Sequence, residues 1–347
     1  MPVAAATRRM FAAPHGRRVA FTRLGFGGAP LGNMHRALSE VESVATVRAA
    51  WDAGLRYFDT APLYGHGLSE MRIGRALTGE ARADFIVSTK VGRLLEPCAA
   101  GEEASGIYRQ TPPLKVRFDY TRDGVLHSFE ASLQRLGLDA VDVVYVHDLE
   151  PGTHRSTQAY DVRWRELIDG GGWRALDELR SSGALAAIGL GVNEAAPCER
   201  MLADLDPDLF LLAGRYTLLE QATGLLARCE RRDVGVVVGG PFNSGVLARA
   251  DGTFNYAAAP PQVLARVERL RAVCASFDVA LPAAALQFAA AHPAVVSVIP
   301  GAQTPQEVAA NAAMMDAAIP PALWTALKDE GLIDSAAPTP TPETAAC

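Results

Sequence analysis

Four residues of different acid–base character stand at, or just beyond, the ends of short apolar stretches. Asp59 follows Leu55, Tyr57 and Phe58, and Tyr64 comes five residues later in the proline-braced turn Thr60-Ala61-Pro62-Leu63-Tyr64-Gly65. Lys90 closes the run Phe85-Ile86-Val87-Ser88-Thr89, and His147 closes Val143-Val144-Tyr145-Val146, with Asp148 next in the chain. A phenol accepts a proton near neutrality only at a cost of about 4 kcal/mol. A neighbouring ammonium would favour the phenolate, and Asp59 would keep Lys90 charged where burial would otherwise neutralise it. His147 would orient a substrate oxygen or relay its proton. None of the four is a redox centre, so a hydride transferred here has to go to a bound cofactor. Taken singly, each has a plainer role: a surface lysine, a packed histidine, an aspartate capping its own turn. Three strand ends carrying Asp, Lys and His, with a Tyr just past the first, point to a shared site.

Such a site needs strands whose carboxyl ends converge. Apolar strand-like stretches fall near 24–27, 56–58, 85–90, 142–146, 185–190, 209–212, 234–238 and 295–299, and amphipathic segments such as 39–53, 121–136, 173–181 and 261–277 lie between them. Ser39 followed by Glu42 is a capping box, and Gly54 and Gly137 stand where helices should stop. Eight β/α repeats favour a (β/α)8 TIM barrel over an open sheet, with sites at the carboxyl ends of its strands. Two connections exceed what a barrel needs, 92–120 after the third strand and 239–260 after the seventh. They are expected to wall the substrate pocket, the first of them partly mobile.

The chain of 347 residues is 49% hydrophobic with a net charge of −6, which gives no reason to expect nucleic acid or an anionic membrane as partner. No run approaches a membrane span. The five cysteines are scattered, without metal-ligand spacing or a disulfide framework; reduced thiols in a cytoplasmic protein fit them, with Cys347 the most exposed. Residues 1–334 read as one catalytic domain, and 335–347, rich in Pro and Thr, as a disordered tail with nothing to bury.

Leu24-Gly25-Phe26-Gly27-Gly28, the Asp59 to Gly65 stretch, Gly67-Leu68-Ser69-Glu70, Ser88-Thr89-Lys90 and Val146-His147-Asp148 occur in the order found in the aldo-keto reductases, which the chain resembles from about Thr22 to Asn311. The resemblance implies that Asp59, Tyr64, Lys90 and His147 form the catalytic tetrad, with Tyr64 as acid/base. It also implies a β-hairpin across the barrel floor, from Arg8 to Phe11 and Arg18 to Thr22 around Pro14-His15-Gly16. Gly239 to Leu247 and Phe254-Asn255-Tyr256 are similar to the L-fucose or D-threo-aldose 1-dehydrogenase branch of that family. A free aldose oxidised at C1 to a lactone is the implied reaction. Pyridoxal 4-dehydrogenation on a cyclic hemiacetal, NADPH-linked carbonyl reduction and a non-enzymatic nucleotide-sensing barrel stand as alternatives.

No Gly-x-Gly-x-x-Gly opens a Rossmann unit. Ile299-Pro300-Gly301-Ala302 ends the eighth strand instead, and Thr304-Pro305 begins a helix whose free N–H groups suit a phosphate. The resemblance implies further cofactor contacts. Asn193 would hold the nicotinamide carboxamide, the loop Gly240, Phe242, Asn243, Ser244, Gly245 and Leu247 would cover the pyrophosphate, and Gly28 and Tyr216, the latter similar to the aromatic of the family's sixth strand, would also contact the cofactor. Pro300, Gly301, Gln303, Glu307 and Asn311 would surround the adenosine ribose. Members selecting NADP carry basic residues where Gly301, Gln303 and Glu307 stand, so NAD is expected, with NADP possible. Ala213 departs from a carboxamide-binding glutamine. A monomer or weak homodimer is expected.

Overall fold

The computed structural model describes residues 5–104, 106–249 and 252–341. Its strands, in chain order, are β1 (Arg8–Ala12), β2 (Arg18–Thr22), β3 (Phe26–Gly27), β4 (Tyr57–Asp59), β5 (Ile86–Val91), β6 (Arg93–Pro97), β7 (Leu114–Phe118), β8 (Val143–His147), β9 (Ala187–Val192), β10 (Leu209–Ala213), β11 (Gly235–Gly239) and β12 (Val295–Ile299). Eight of them pair in parallel in the order β12-β11-β10-β9-β8-β5-β4-β3. Parallel bridges from Leu24 to Val298 and from Gly27 to Gly301 join the two edges, so the sheet closes into a (β/α)8 barrel.

These strands are short and buried on both faces, which is why they read as apolar runs rather than alternating ones. Helices α1 (Glu40–Asp52), α2 (Leu68–Leu77) and α3 (Arg122–Leu136) follow the first three barrel strands. Ser39 caps α1: its hydroxyl accepts from the Glu42 N–H at 3.2 Å, and the Glu42 carboxylate accepts from the Ser39 N–H at 2.8 Å. Gly137 ends α3 in the left-handed conformation. Then come α4 (Pro151–His154), α5 (Thr157–Asp169), α6 (Gly172–Ser181), α7 (Ala195–Asp204), α8 (Thr223–Arg231), α9 (Pro261–Ala275), α10 (Leu281–Ala289), α11 (Pro305–Asp316) and α12 (Pro321–Asp329).

Buried apolar side chains form two cores. The larger lies between the barrel and its helices. The smaller fills the barrel interior, where Tyr57, Tyr145, Leu209, Leu211 and Val237 meet Phe11, Val19 and Phe21 of the β1–β2 hairpin. Phe21 packs edge-on against Tyr57 with ring centroids 4.8 Å apart, so the hairpin plugs the floor.

Two expectations need correction. The 92–120 connection is not a plain loop: its two ends pair as the antiparallel hairpin β6–β7, anchored by the Asp119 N–H on the Gly92 carbonyl. Beyond Asp334 the chain does find something to bury: Ala337 is fully buried and its N–H donates to the Asp334 carbonyl. Residues 342–347, and Cys347 with them, lie outside the described residues.

Candidate active site

Strand order decides which side chains meet. β4 and β5 are neighbours with Asp59 opposite Ser88, and β5 neighbours β8 with Lys90 opposite Tyr145. Asp59, Lys90 and His147 therefore emerge from three adjacent strands at one end of the barrel. Lys90 Nζ donates to Asp59 Oδ2 at 2.7 Å and to the Thr60 carbonyl at 2.8 Å, and both ionised residues are at most 2% exposed. Ser88 donates to the other Asp59 oxygen at 2.7 Å, and the Tyr57 and Tyr145 hydroxyls continue that chain into the interior. Burial raises the Asp59 pKa, opposed by Lys90 and Ser88.

Tyr64 comes from the turn after β4. Lys90 Nζ lies 4.7 Å from its ring centroid, and the His147 ring stands edge-on to it at 5.8 Å. A close backbone approach seats this turn: a Cβ on Gly32 would fall 2.4 Å from the Gly65 nitrogen and 2.5 Å from the Tyr64 carbonyl carbon. Gly65 itself has φ +65°, a conformation that favours glycine. The four sequence-singled residues are thus brought together.

Their electrostatics differ from the expectation in one respect. Tyr64 is held well above the ordinary phenol range, by burial first and then by the Asp59 charge, rather than lowered by Lys90. The physical reason is the loss of water around the buried phenol; the ammonium that could offset it is paired with a carboxylate at 2.7 Å. His147 is pushed down to about 3 by burial, against the pull of Asp148, and is neutral at working pH.

A cavity of about 300 Å³ opens over these groups. Tyr64, Lys90, His147, Asp148 and Asn193 line it, with Tyr108 from the 92–120 wall and Tyr256 from the loop after β11. Asp148, Arg93, Tyr108 and Glu150 carried no role in the sequence reading. Asp148 takes a left-handed φ of +49° that turns it beside His147, whose Nε2 lies 3.4 Å from Asp148 Oδ2. Arg93, at the start of β6, donates to the same oxygen at 2.6 Å. Burial raises the Asp148 carboxyl, but His147 and Arg93 outweigh it and leave the group below its usual range. The alternation Leu114, Val116, Phe118 was the available signal for the hairpin that carries Arg93.

The residues expected to hold a cofactor divide. Asn193 and Ala213 line the cavity. Gly240, Asn243, Ser244 and Gly245 all have positive φ in the loop after β11, where Asn243 is buried, donates to the Gly214 carbonyl at 3.1 Å and keeps its Oδ1 without a partner among the described residues. Phe242 is half-buried, and Leu247, fully buried, donates its N–H to the Phe242 carbonyl. Pro300 and Gly301 stand on the adjacent strand end, next to Gly28, whose N–H donates to the Asp59 carbonyl. A nucleotide fits this ridge, which offers a buried acceptor and an open backbone. Asn311 is buried on α11. Gln303 donates to the Met34 carbonyl at 2.8 Å, and its N–H is taken by Glu307 Oε2 at 2.6 Å. Thr304 caps α11 by accepting from the Glu307 N–H at 3.1 Å, and the Glu307 carboxylate ties back the residue before that cap. Tyr216 is not at the cavity: it is fully buried and stacks on Phe288 of α10 at 5.3 Å, because the chain turns outward after β10.

Among the described residues no helix is long and apolar enough to cross a membrane. Comparison with known proteins places this geometry. The chain is 41% identical over 330 residues to a pyridoxal 4-dehydrogenase of Microbacterium luteolum, covering 90% of this chain and 94% of that one. It is 40% identical over 332 residues to a D-threo-aldose 1-dehydrogenase of a Pseudomonas species, covering 93% and 96%. Among solved structures, an aldo-keto reductase from Bacillus halodurans in its holo form superposes with a TM-score of 0.70 at 24% identity over 97% of this chain and 99% of that one, a likeness of fold. Residues 23–329 match the Aldo/keto reductase family, a span that takes in every strand of the barrel, and the chain is an oxidoreductase belonging to that family.

Proposed function

We propose that this oxidoreductase oxidises the anomeric carbon of a free aldose, such as L-fucose or D-arabinose, to a lactone with NAD. The observation that carries the reading is the buried, ionised Asp148 in the cavity wall beside His147, in a cavity that Tyr108 and Tyr256 also line. A carboxylate held charged by Arg93 accepts hydrogen bonds from neutral, hydroxyl-rich molecules, and aromatic faces pack on the C–H faces of a sugar ring. The bound nicotinamide supplies the hydride acceptor. Asn193, Gly240, Phe242, Asn243, Ser244 and Gly245 would hold the dinucleotide, with Gly28, Pro300, Gly301, Gln303, Glu307 and Asn311 along its adenosine half.

Within the chain's own chemistry, Tyr64 Oη takes the proton of the C1 hydroxyl as C1 loses its hydrogen as hydride. The C1–O bond becomes the lactone carbonyl. Neutral His147 positions that oxygen through an N–H. Tyr64 enters this step as the phenolate and leaves it as the phenol, with Lys90 Nζ, paired to Asp59 at 2.7 Å, lying 4.7 Å from its ring centroid. Glu307 supports NAD over NADP, since its carboxylate, accepting from the Gln303 N–H just before the helix, would repel a 2′-phosphate there. Arg36, which donates to Gln303, also pairs with Glu42.

A cyclic hemiacetal of pyridoxal is the second reading, favoured by the 41% identical relative named for that activity. The test is NAD reduction against L-fucose, D-arabinose, L-galactose, D-glucose and pyridoxal. Aldose oxidation is expected, and turnover of pyridoxal alone would transfer the assignment. Tyr64→Phe should lose about 10²- to 10⁴-fold in turnover while still binding NAD. Retained turnover would remove the tyrosine from the chemistry.

A further inference from the structure

Asn193 is held in an unusual way for a residue that faces a ligand cavity. Its backbone N–H donates to Glu150 Oε2 at 2.6 Å, and its side-chain Nδ2 donates to Glu150 Oε1 at 2.8 Å. The same Nδ2 lies 3.4 Å from Asp148 Oδ1. An amide nitrogen has two hydrogens, and here both face carboxylates. Turning the amide over would aim its oxygen at two carboxylates, so the orientation is fixed by charge and not by choice. Glu150 is 3% exposed and is kept in place by this double contact.

The amide oxygen is all that Asn193 has left to offer. Ala213 and Val192, which also line the cavity, add no side-chain donor or acceptor. We propose that Glu150 is a positioning residue that makes Asn193 an acceptor only, so that this site reads the N–H of the nicotinamide carboxamide and is indifferent to its carbonyl. The inference rests on the nicotinamide reading above.

Two NAD analogues separate the two halves of the carboxamide. The 3-acetylpyridine analogue keeps the carbonyl and lacks the N–H; the thionicotinamide analogue keeps the N–H and has a poor acceptor in place of oxygen. Binding is measured by calorimetry on the full chain without substrate, so no turnover enters the readout. For the wild type the acetylpyridine analogue should bind about tenfold more weakly than NAD, because Asn193 Oδ1 is left unpaired, and the thionicotinamide analogue should match NAD. In Glu150→Gln the new amide N–H faces Asn193, the Asn193 amide turns over, and the preference for NAD over the acetylpyridine analogue should vanish. Glu150→Asp should keep it. Equal wild-type binding of NAD and the acetylpyridine analogue would overturn the inference and leave the nicotinamide reading intact, as would an unchanged ratio in Glu150→Gln. Failure of the wild type to bind NAD at all would overturn both. The wild-type ratio decides the matter even if Glu150→Gln does not fold.

Discussion

Lys90→Met removes the ammonium and keeps most of the side-chain volume. In the wild type that ammonium bonds Asp59 at 2.7 Å and the Thr60 carbonyl at 2.8 Å, with both side chains out of water. Without it, Asp59 keeps Ser88 as its one charge-stabilising partner here. Breaking a buried pair costs about 3–5 kcal/mol. A ceiling comes from the carboxyl's alternative, which is to take up a proton. From an ordinary value of 3.8, doing so at pH 7 costs about 4 kcal/mol at 1.36 kcal/mol for each pH unit. At pH 5 the same step costs about 2 kcal/mol. The sign follows from proton counts: Asp59 in the variant has a folded pKa above its unfolded one, so acid relieves the destabilisation. Urea unfolding at the two pH values, wild type against variant, should show a gap of about 4 kcal/mol shrinking to about 2. Asp59→Asn combined with Lys90→Met should recover most of the loss at pH 7. A gap that does not change with pH, or a double variant no better than the single, would refute the claim that an unpaired charge is the cause.

Gly32→Ala forces a methyl within 2.4 Å of the Gly65 nitrogen, so the turn bearing Tyr64 must shift; kcat should fall about tenfold to a hundredfold with the fold intact by circular dichroism, and an unchanged kcat would contradict the proposed seating. Because burial and Asp59 hold the Tyr64 phenol high, its base form grows with alkalinity, and kcat/KM for oxidation should climb through about pH 9. His147, at about 3, should leave no inflection near pH 6.5. A bell centred on that value would contradict its neutrality.

The barrel and the four ionisable groups were legible because each strand is a short apolar run and the reactive residue closes it, so type and position coincide in sequence. The hairpin across the floor was expected from the resemblance to the family alone. That the two long connections would wall the pocket was legible as well, but not which side chains they deliver to it. Arg93 looks like an ordinary charge after a strand, and only the β6–β7 pairing brings it to Asp148. Glu150 lies three residues past His147 and gains its role from Asn193, forty-three positions away. Tyr216 follows an apolar strand as an inward-facing aromatic would, but the left-handed Gly214 turns the chain toward α10. The upward displacement of Tyr64 was also invisible, since it comes first from how deeply the folded chain buries the phenol and then from the Asp59 charge.

The aromatic plug formed by Phe21 against Tyr57 has a consequence for traffic through the molecule. With the far end stoppered by hydrocarbon, the hydroxyl line from Tyr145 through Tyr57 and Ser88 to Asp59 is a blind alley of buried side chains. On the proposed mechanism, the proton gathered by Tyr64 would depart through the same doorway as the oxidised product. An occupant that lingers in that doorway delays both departures at once, coupling release of the organic molecule to resetting of the phenol.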